Sequence, residues 1–159
     1  MTGGAGPHRP ADAEALALAR RILGGARDAV LSVLDENGWP MTSRIALQTD
    51  TAGVPLVLLS SIALHSAALM RDPRAALLLA PPPPSRGSIL AQPRLSLQVR
   101  AELAALAEAA HLRAAWRARD PRSALYVDLP DFRFWRLRIR GGLLNAGFGR
   151  ASVIAPGDL

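Results

Sequence analysis

The 159-residue chain contains neither cysteine nor lysine. The missing thiol excludes disulfides, cysteine nucleophiles, cysteine-ligated zinc and iron–sulfur clusters, and it is typical of proteins from a reducing cytoplasm. The missing amine excludes Schiff-base chemistry, including lysine-bound pyridoxal phosphate, and it excludes a Walker A phosphate loop. No metal site is predicted.

The chain also lacks the apolar stretches that mark secretion or membrane insertion. Its first 16 residues have no apolar core like that of a signal peptide. No segment approaches the roughly 18 apolar residues of a membrane span. Residues 1–10 are rich in glycine and proline, which predicts a disordered tail. We therefore expect a soluble, cytoplasmic protein with a single domain over residues 11–159.

All 19 basic side chains are arginines, and the formal net charge is +6. The arginines are scattered along the chain and no nucleic-acid-binding motif is present, so nucleic-acid binding is a minor alternative. An anionic cofactor or substrate explains a basic chain about as well.

Residues 55–79 have the most informative pattern. The apolar residues 55–59 predict a strand that is buried on both faces. Ser60 and Ser61 follow as candidate N-cap residues of a short helix, which ends before Pro73. Two hydroxyls, a helix N-terminus and His65 then lie together, and this arrangement favours an anion. Alternatively, the serines only cap the helix and His65 lies on its surface.

Periodicity predicts a small barrel with helices against its ends. The predicted strands are residues 29–34, 40–48, 55–59, 75–79, 94–102 and 132–140, and the longer predicted helices are residues 12–23 and 102–119. The proline-rich residues 80–87 predict a stiff loop. Arginines on exposed strand faces suggest that a second copy of the chain covers part of the barrel wall.

The last predicted strand and the segment after it contain further candidate ligand contacts. Arg136, Arg138 and Arg140 share one strand face, which is either a solvated surface or a face towards an anionic ligand or a partner's carboxylates. Glycines then flank Phe148 and Arg150. This pattern suits either close approach of the backbone to a ligand or a simple turn.

The order of these segments resembles the pyridoxamine-5′-phosphate-oxidase-like, FMN-binding split-barrel family over roughly residues 26–151. The similar motifs are Leu58-Leu59-Ser60-Ser61, Ala63-Leu64-His65-Ser66, Asp72-Pro73-Arg74-Ala75, Pro93-Arg94-Leu95-Ser96-Leu97 and Gly147-Phe148-Gly149-Arg150-Ala151. The last motif and Ala124-Leu125-Tyr126 are most similar to the haem-utilisation branch, whose additional C-terminal domain is not expected in this chain. The resemblance implies a mainly β, α+β fold: a six-stranded antiparallel split β-barrel with flanking helices.

The resemblance also implies a homodimer with two FMN molecules at its interface. The residues that match the family's cofactor site are Arg44, Ile45, Ala46, Ser60, Ser61, His65, Ser66, Arg94, Gln98, Phe148 and Arg150. In this resemblance Arg44 reaches the phosphate, while Ile45 and Ala46 offer backbone groups to the flavin ring. The three serines and the histidine match the phosphate end of the site. Arg94 and Gln98 contact the cofactor from the other chain, while Phe148 and Arg150 close over the ring.

Two departures from the family's pattern bear on function. His65 stands where the family has a phosphate-binding lysine, so phosphate affinity rests more on Arg44 and the helix N-terminus. The Arg-Leu-Ala-Pro segment of true pyridoxamine-phosphate oxidases is missing, so their substrate is not expected. The predicted function is an FMN-binding flavoprotein that acts as an oxidoreductase on an unknown small molecule, with no catalytic residue identified. The alternatives are a deazaflavin or haem as the ligand, and a non-catalytic dimer that binds flavin or haem.

Overall fold

The computed structural model describes residues 9–83 and 86–159, and there the chain forms eight strands and three α-helices. The strands are β1 (Arg9–Pro10), β2 (Asp28–Leu34), β3 (Pro40–Thr49), β4 (Pro55–Ser60), β5 (Arg74–Leu79), β6 (Arg94–Leu103), β7 (Phe132–Asn145) and β8 (Ala151–Ile154). The helices are α1 (Ala13–Gly25), α2 (Leu64–Arg71) and α3 (Ala109–Arg119). None of these helices is long and apolar enough to cross a membrane.

Six antiparallel strands close into a barrel. Their hydrogen-bonded order is β7-β4-β3-β2-β5-β6, and β6 pairs again with β7. Strand β8 extends the sheet from β7, and β1 pairs in parallel with β8. Closure removes the unpaired edges that an open six-stranded sheet would expose. The predicted six-stranded antiparallel barrel with flanking helices is confirmed.

Pairing of β6 with β7 closes the barrel, and the two strands approach each other closely at Gly142. This glycine lies opposite Leu97. A Cβ atom on Gly142 would lie 2.4 Å from the Ser96 carbonyl oxygen and 2.8 Å from Leu97 Cδ2. Any side chain at this position would therefore push the two strands apart. The strand also continues beyond residue 140, where the predicted strand ended, because β6 and β8 pair with its second half.

Two hydrophobic cores lie on opposite faces of β4. The larger core fills the barrel, and its almost fully buried members include Leu31, Leu47, Val57, Leu77, Leu97 and Leu137. The second core lies outside the barrel, between the barrel wall and helix α3. It contains Leu56, Leu58, Ala104, Leu112, Trp116, Val127 and Phe134. Because both faces of β4 are covered, its sequence is apolar from Pro55 to Leu59, as expected for a doubly buried strand.

Two predicted helix boundaries are wrong. The helix predicted over residues 102–119 begins only at Ala109, because Glu102 and Leu103 belong to β6 and pair with Arg136 and Trp135. Pairing with β7 overrides the helix propensity of this segment, which is rich in alanine and leucine. At the other end of the chain, α1 continues through Gly24 and Gly25, two residues beyond its predicted end at residue 23.

The predicted helix cap and tail also differ from the structure. The N-cap of α2 is Ala63, which makes no side-chain cap, so Ser60 and Ser61 do not have this role. Arg9 and Pro10, the last two residues of the predicted tail, pair with residues 152 and 153. Residues 1–8 of that tail, and residues 84 and 85 of the predicted proline-rich loop, lie outside the described residues.

Candidate functional site

A surface groove brings together five of the residues that were predicted to hold a cofactor. It lies between β3, the end of β4 and the start of α2, and its volume is about 430 Å³. This feature, termed the Arg44 groove, is lined by Arg44, Ile45, Ala46, Leu58, Leu59, Ser60, Ala63, His65, Tyr126 and Phe132. The rings of Tyr126 and Phe132 have their centroids 5.5 Å apart. They form an aromatic wall against which a flat ligand can pack.

The Ser60 hydroxyl is bonded to an acidic residue that the sequence analysis missed. Ser60 Oγ donates to Asp131 Oδ2 at 2.5 Å, and the Ser61 backbone N–H donates to the Asp131 carbonyl oxygen at 2.7 Å. Antiparallel pairing sets Ser60 opposite Phe132, which brings the preceding aspartate alongside the serine. The sequence does show an acidic residue directly before the last predicted strand, but only the pairing of β4 with β7 shows that this residue bonds to Ser60.

The groove carries little positive charge. Arg44 Nε donates to Asp28 Oδ2 at 2.6 Å, in an ion pair whose arginine side chain is 80% exposed. Burial lowers the pKa of the His65 imidazole below its ordinary value, so the ring is neutral at pH 7. Its Nδ1 lies 3.4 Å from Ser43 Oγ. Arg44 is the ionised side chain of the lining. Asp28 and Asp131 lie next to the lining, bonded to Arg44 and Ser60, so the three charges sum to −1.

The other two residues predicted for the phosphate end do not line the groove. Ser66 is buried, and its hydroxyl donates to the Ser60 carbonyl oxygen at 2.6 Å. Ser66 therefore holds α2 against the end of β4 and has no proton left for a ligand. Ser61 is exposed beside the groove.

A larger cavity lies on the outer wall formed by β5, β6 and β7. Its volume is about 650 Å³, and its lining residues are Arg74, Ala75, Gln98, Val99, Arg100 and Arg140. We term it the arginine cavity. Gln98, which was predicted to contact the cofactor of the other chain, belongs to this cavity and not to the Arg44 groove.

The arginine cavity has an excess of positive charge. Arg74 pairs with Asp72 at 2.6 Å, and their hydrogen bond lowers the pKa of the Asp72 carboxyl to about 2. Arg100 lies opposite Arg74 in the pairing of β5 with β6. Within the described residues, neither Arg100 nor Arg140 makes an ion pair. Three lining arginines and one carboxylate leave a local charge of +2.

Arg94, Phe148 and Arg150 lie apart from both cavities in a single chain. The Arg94 guanidinium donates to two backbone carbonyl oxygens of the preceding turn, at 3.3 and 3.5 Å. Phe148 is exposed. Arg150 Nη2 donates to Glu14 Oε1 at 3.2 Å, across a cleft of about 380 Å³ beside α1. A second chain would have to bring such residues to the Arg44 groove, as the resemblance implies.

The three arginines predicted to share one strand face have different partners. Arg136, whose side chain is 17% exposed, donates from Nε to Asp50 Oδ2 at 3.0 Å. It also makes two hydrogen bonds with the Glu108 carboxylate, at 2.7 and 3.0 Å. This clamp ties the turn before β4 to the segment before α3, while Arg140 faces the arginine cavity. In residues 9–83 and 86–159, no three His, Asp or Glu side chains are grouped as a metal site.

No family model matches the chain. The chain is 32% identical over 120 residues to a curated Arabidopsis thaliana protein, a chloroplastic non-canonical haem oxygenase; the match covers 74% of this chain and 36% of that protein. One solved structure is 49% identical in sequence, covers 94% of this chain and 97% of its own, and superposes with a TM-score of 0.86. A haem-binding protein from Mycobacterium smegmatis is 29% identical and has a TM-score of 0.81.

The barrel is also shared with more distant proteins. A protein of the pyridoxinephosphate oxidase family from Clostridium acetobutylicum, 13% identical, has the same fold with a TM-score of 0.69 over 91% of this chain. The chain spans 36% of the curated plant relative and 60% of the mycobacterial protein. It belongs to the pyridoxamine-5′-phosphate-oxidase-like split-barrel family, and it is similar to haem-binding members of that family.

Proposed function

We propose that the chain binds a haem-like tetrapyrrole and that the arginine cavity holds the carboxylates of this ligand. The observation that carries the proposal is the local charge of +2 around a cavity of about 650 Å³. Neighbouring guanidiniums repel one another, and a carboxylate that pairs with them relieves this repulsion. A tetrapyrrole with two propionates supplies such groups. Similarity to a haem oxygenase and to a haem-binding protein supports this choice of ligand.

The lining of the arginine cavity fits the carboxylates of the ligand. Val99 belongs to the barrel core and is only 3% exposed, so the aliphatic parts of the arginine side chains supply the apolar surface of the cavity. The lining, all of it within the described residues, contains no histidine, cysteine, methionine or tyrosine, the side chains that ligate haem iron in proteins. In this proposal, ion pairing and packing against the arginine side chains therefore supply the affinity, and iron ligation does not.

Titrations with haemin and with metal-free protoporphyrin IX test the proposal through their visible absorbance and through quenching of tryptophan fluorescence. Both ligands should bind with similar Kd, because the cavity lining offers no iron ligand. Arg100→Ala combined with Arg140→Ala removes two charge-assisted contacts and should raise both Kd values by about tenfold or more. Arg122→Ala removes an exposed arginine outside both cavities and should change neither. Unchanged affinity in the double variant would refute the proposal.

A flavin-dependent oxidoreductase is the second candidate, and the Arg44 groove is the observation that favours it. The groove places Arg44, Ile45, Ala46, Ser60 and His65 together, as the family's FMN site implies. FMN supplies electron or hydride transfer when bound, so the protein has only to bind and orient it. The aromatic wall of the groove fits the flavin ring. The local charge of −1 does not fit the phosphate.

Reduction of bound flavin separates an oxidoreductase from a binding protein. Protein loaded with FMN is mixed anaerobically with NADH or NADPH, and the visible flavin absorbance is followed before and after air is admitted. An oxidoreductase should bleach and recover at a rate well above that of free FMN. A binding protein should show no acceleration. The small-molecule substrate and the cytoplasmic location stay predictions.

A homodimer is part of the same proposal, because an apolar row crosses the outer barrel wall. Val30 lies opposite Leu78, and Leu143 lies opposite Val153, with Ser96 of β6 between the two pairs. Leu78 lines neither the Arg44 groove nor the arginine cavity and is 42% exposed in the single chain. A second copy that covers this apolar row would remove it from water.

A further inference from the structure

The Arg44 groove combines a ring-binding wall with a charge that disfavours phosphate. We propose that this groove takes a flat ligand that carries no phosphate dianion, and that Asp131 is the residue that sets this specificity. The family's FMN site implies the opposite preference. The inference concerns a different site from the arginine cavity, so it holds whether or not that cavity binds a tetrapyrrole.

Ser60 cannot donate to a phosphate while it is bound to Asp131. A hydroxyl has one proton to donate, and the Ser60 proton is directed to Asp131 Oδ2 at 2.5 Å. Phosphate oxygens accept hydrogen bonds, so the hydroxyl would have to leave the carboxylate and lose a charge-assisted bond. The Ser60 oxygen instead presents an acceptor to the groove, which favours a ligand with O–H or N–H groups.

The charges next to Ser60 add to this preference. Arg44 is already paired with Asp28 at 2.6 Å, and the half-buried His65 stays neutral at pH 7. A phosphate monoester carries nearly two negative charges at that pH. Its approach to Asp131 therefore costs Coulomb energy, which Arg44 can offset only after it releases Asp28.

The rest of the lining indicates which class of ligand the groove accepts. The side chains of Ile45, Leu58, Tyr126 and Phe132 supply apolar and aromatic surface for one flat ring. The acceptor at Ser60 suits an uncharged chain of hydroxyl groups. A heteroaromatic ring with a hydroxylated, uncharged side chain satisfies both halves, and riboflavin is an available probe of this class.

Riboflavin and FMN differ only in the phosphate, so the ratio of their Kd values isolates its contribution. Measured by quenching of flavin fluorescence, wild-type protein should bind riboflavin at least as tightly as FMN. Asp131→Asn removes the charge but keeps an oxygen that accepts from Ser60, so it should shift the ratio towards FMN by about tenfold. His65→Lys adds a cation and should shift it in the same direction. Asp128→Asn is the matched control, since this exposed carboxylate pairs with Arg117 outside the groove.

Inorganic phosphate provides a second measurement that needs no flavin. Its titration should move the backbone amide NMR signals of Ser61 and His65 in Asp131→Asn protein, and it should not move them in the wild type. Two results would overturn the inference. One is a wild type that binds FMN about tenfold more tightly than riboflavin or that binds phosphate at these amides. The other is an Asp131→Asn variant that gains neither FMN preference nor phosphate binding. Failure of the haemin titration would affect neither measurement.

Discussion

A single methyl group at Gly142 should lower the unfolding free energy of the barrel by about 1–4 kcal/mol. In Gly142→Ala, the new Cβ would lie 2.4 Å from the Ser96 carbonyl oxygen and 2.8 Å from Leu97 Cδ2. Both distances are far below the roughly 3.5 Å at which nonbonded atoms attract. Strands β6 and β7 would have to separate, at an overpacking cost of about 1–3 kcal/mol. Weaker backbone hydrogen bonds between the two strands add about 1 kcal/mol to this cost. The lower entropy of the unfolded alanine chain offsets about 0.4–1 kcal/mol of it.

The expected net loss is about 1–4 kcal/mol, or about 2–15 °C in Tm for a chain of this size. Thermal and urea unfolding measure it. Gly24→Ala is the control, because no atom lies within 4 Å of its added Cβ in α1. That control should gain about 0.5–1 kcal/mol, since glycine is a poor helix residue. If Gly142→Ala protein is as stable as the wild type, β6 and β7 do not approach each other as closely at this glycine as the structure indicates.

Substitutions at Arg136, His65 and Leu78 test the clamp, the groove and the apolar row. Arg136→Met leaves two carboxylates without their ion-pair partner, one of them 11% exposed, and should lower the unfolding free energy in urea by about 2–3 kcal/mol. Arg138→Met should lower it by at most about 1 kcal/mol, because the ion pair of Arg138 is half exposed. Burial lowers the pKa of His65 in the folded protein, so as the pH falls the imidazole is protonated in the unfolded chain before it is protonated in the folded one. The stability of the wild type relative to His65→Asn should therefore be constant above about pH 6.5 and fall below it; parallel Tm profiles would contradict this. Leu78→Asp should convert dimers to monomers in sedimentation velocity, while Leu125→Asp, at a position 87% exposed outside the apolar row, should not.

Local pattern was sufficient to predict most of the barrel. The unbroken apolar run of β4 reports that both of its faces are covered, and the alternation in β6 reports one core face and one outer face. The start of α3 could not be predicted in this way. The residues before Ala109 are acceptable in a helix, and their pairing with β7, more than thirty positions away, holds two of them in a strand.

The site could be predicted only in part, for a related reason. The residues that follow one another on β3, β4 and α2 end up in one groove, because consecutive elements are neighbours in this barrel. Asp131 bonds to Ser60 across 71 positions of sequence, and Arg44 bonds to Asp28 across 16. Such long-range partners decide whether a hydroxyl or a guanidinium is available to a ligand, and no local pattern reveals them.

The two cavities of this barrel have opposite local charge, and that difference decides what each can hold. In the strand order, β2 separates β3 of the Arg44 groove from β5 of the arginine cavity. The two cavities therefore lie on different parts of the barrel wall. Their charge depends on side chains outside the barrel core: Asp131 makes the groove negative, while Arg100 and Arg140 make the cavity positive. The charges of this chain thus support the two proposals, carboxylates at the cavity and an uncharged ligand at the groove.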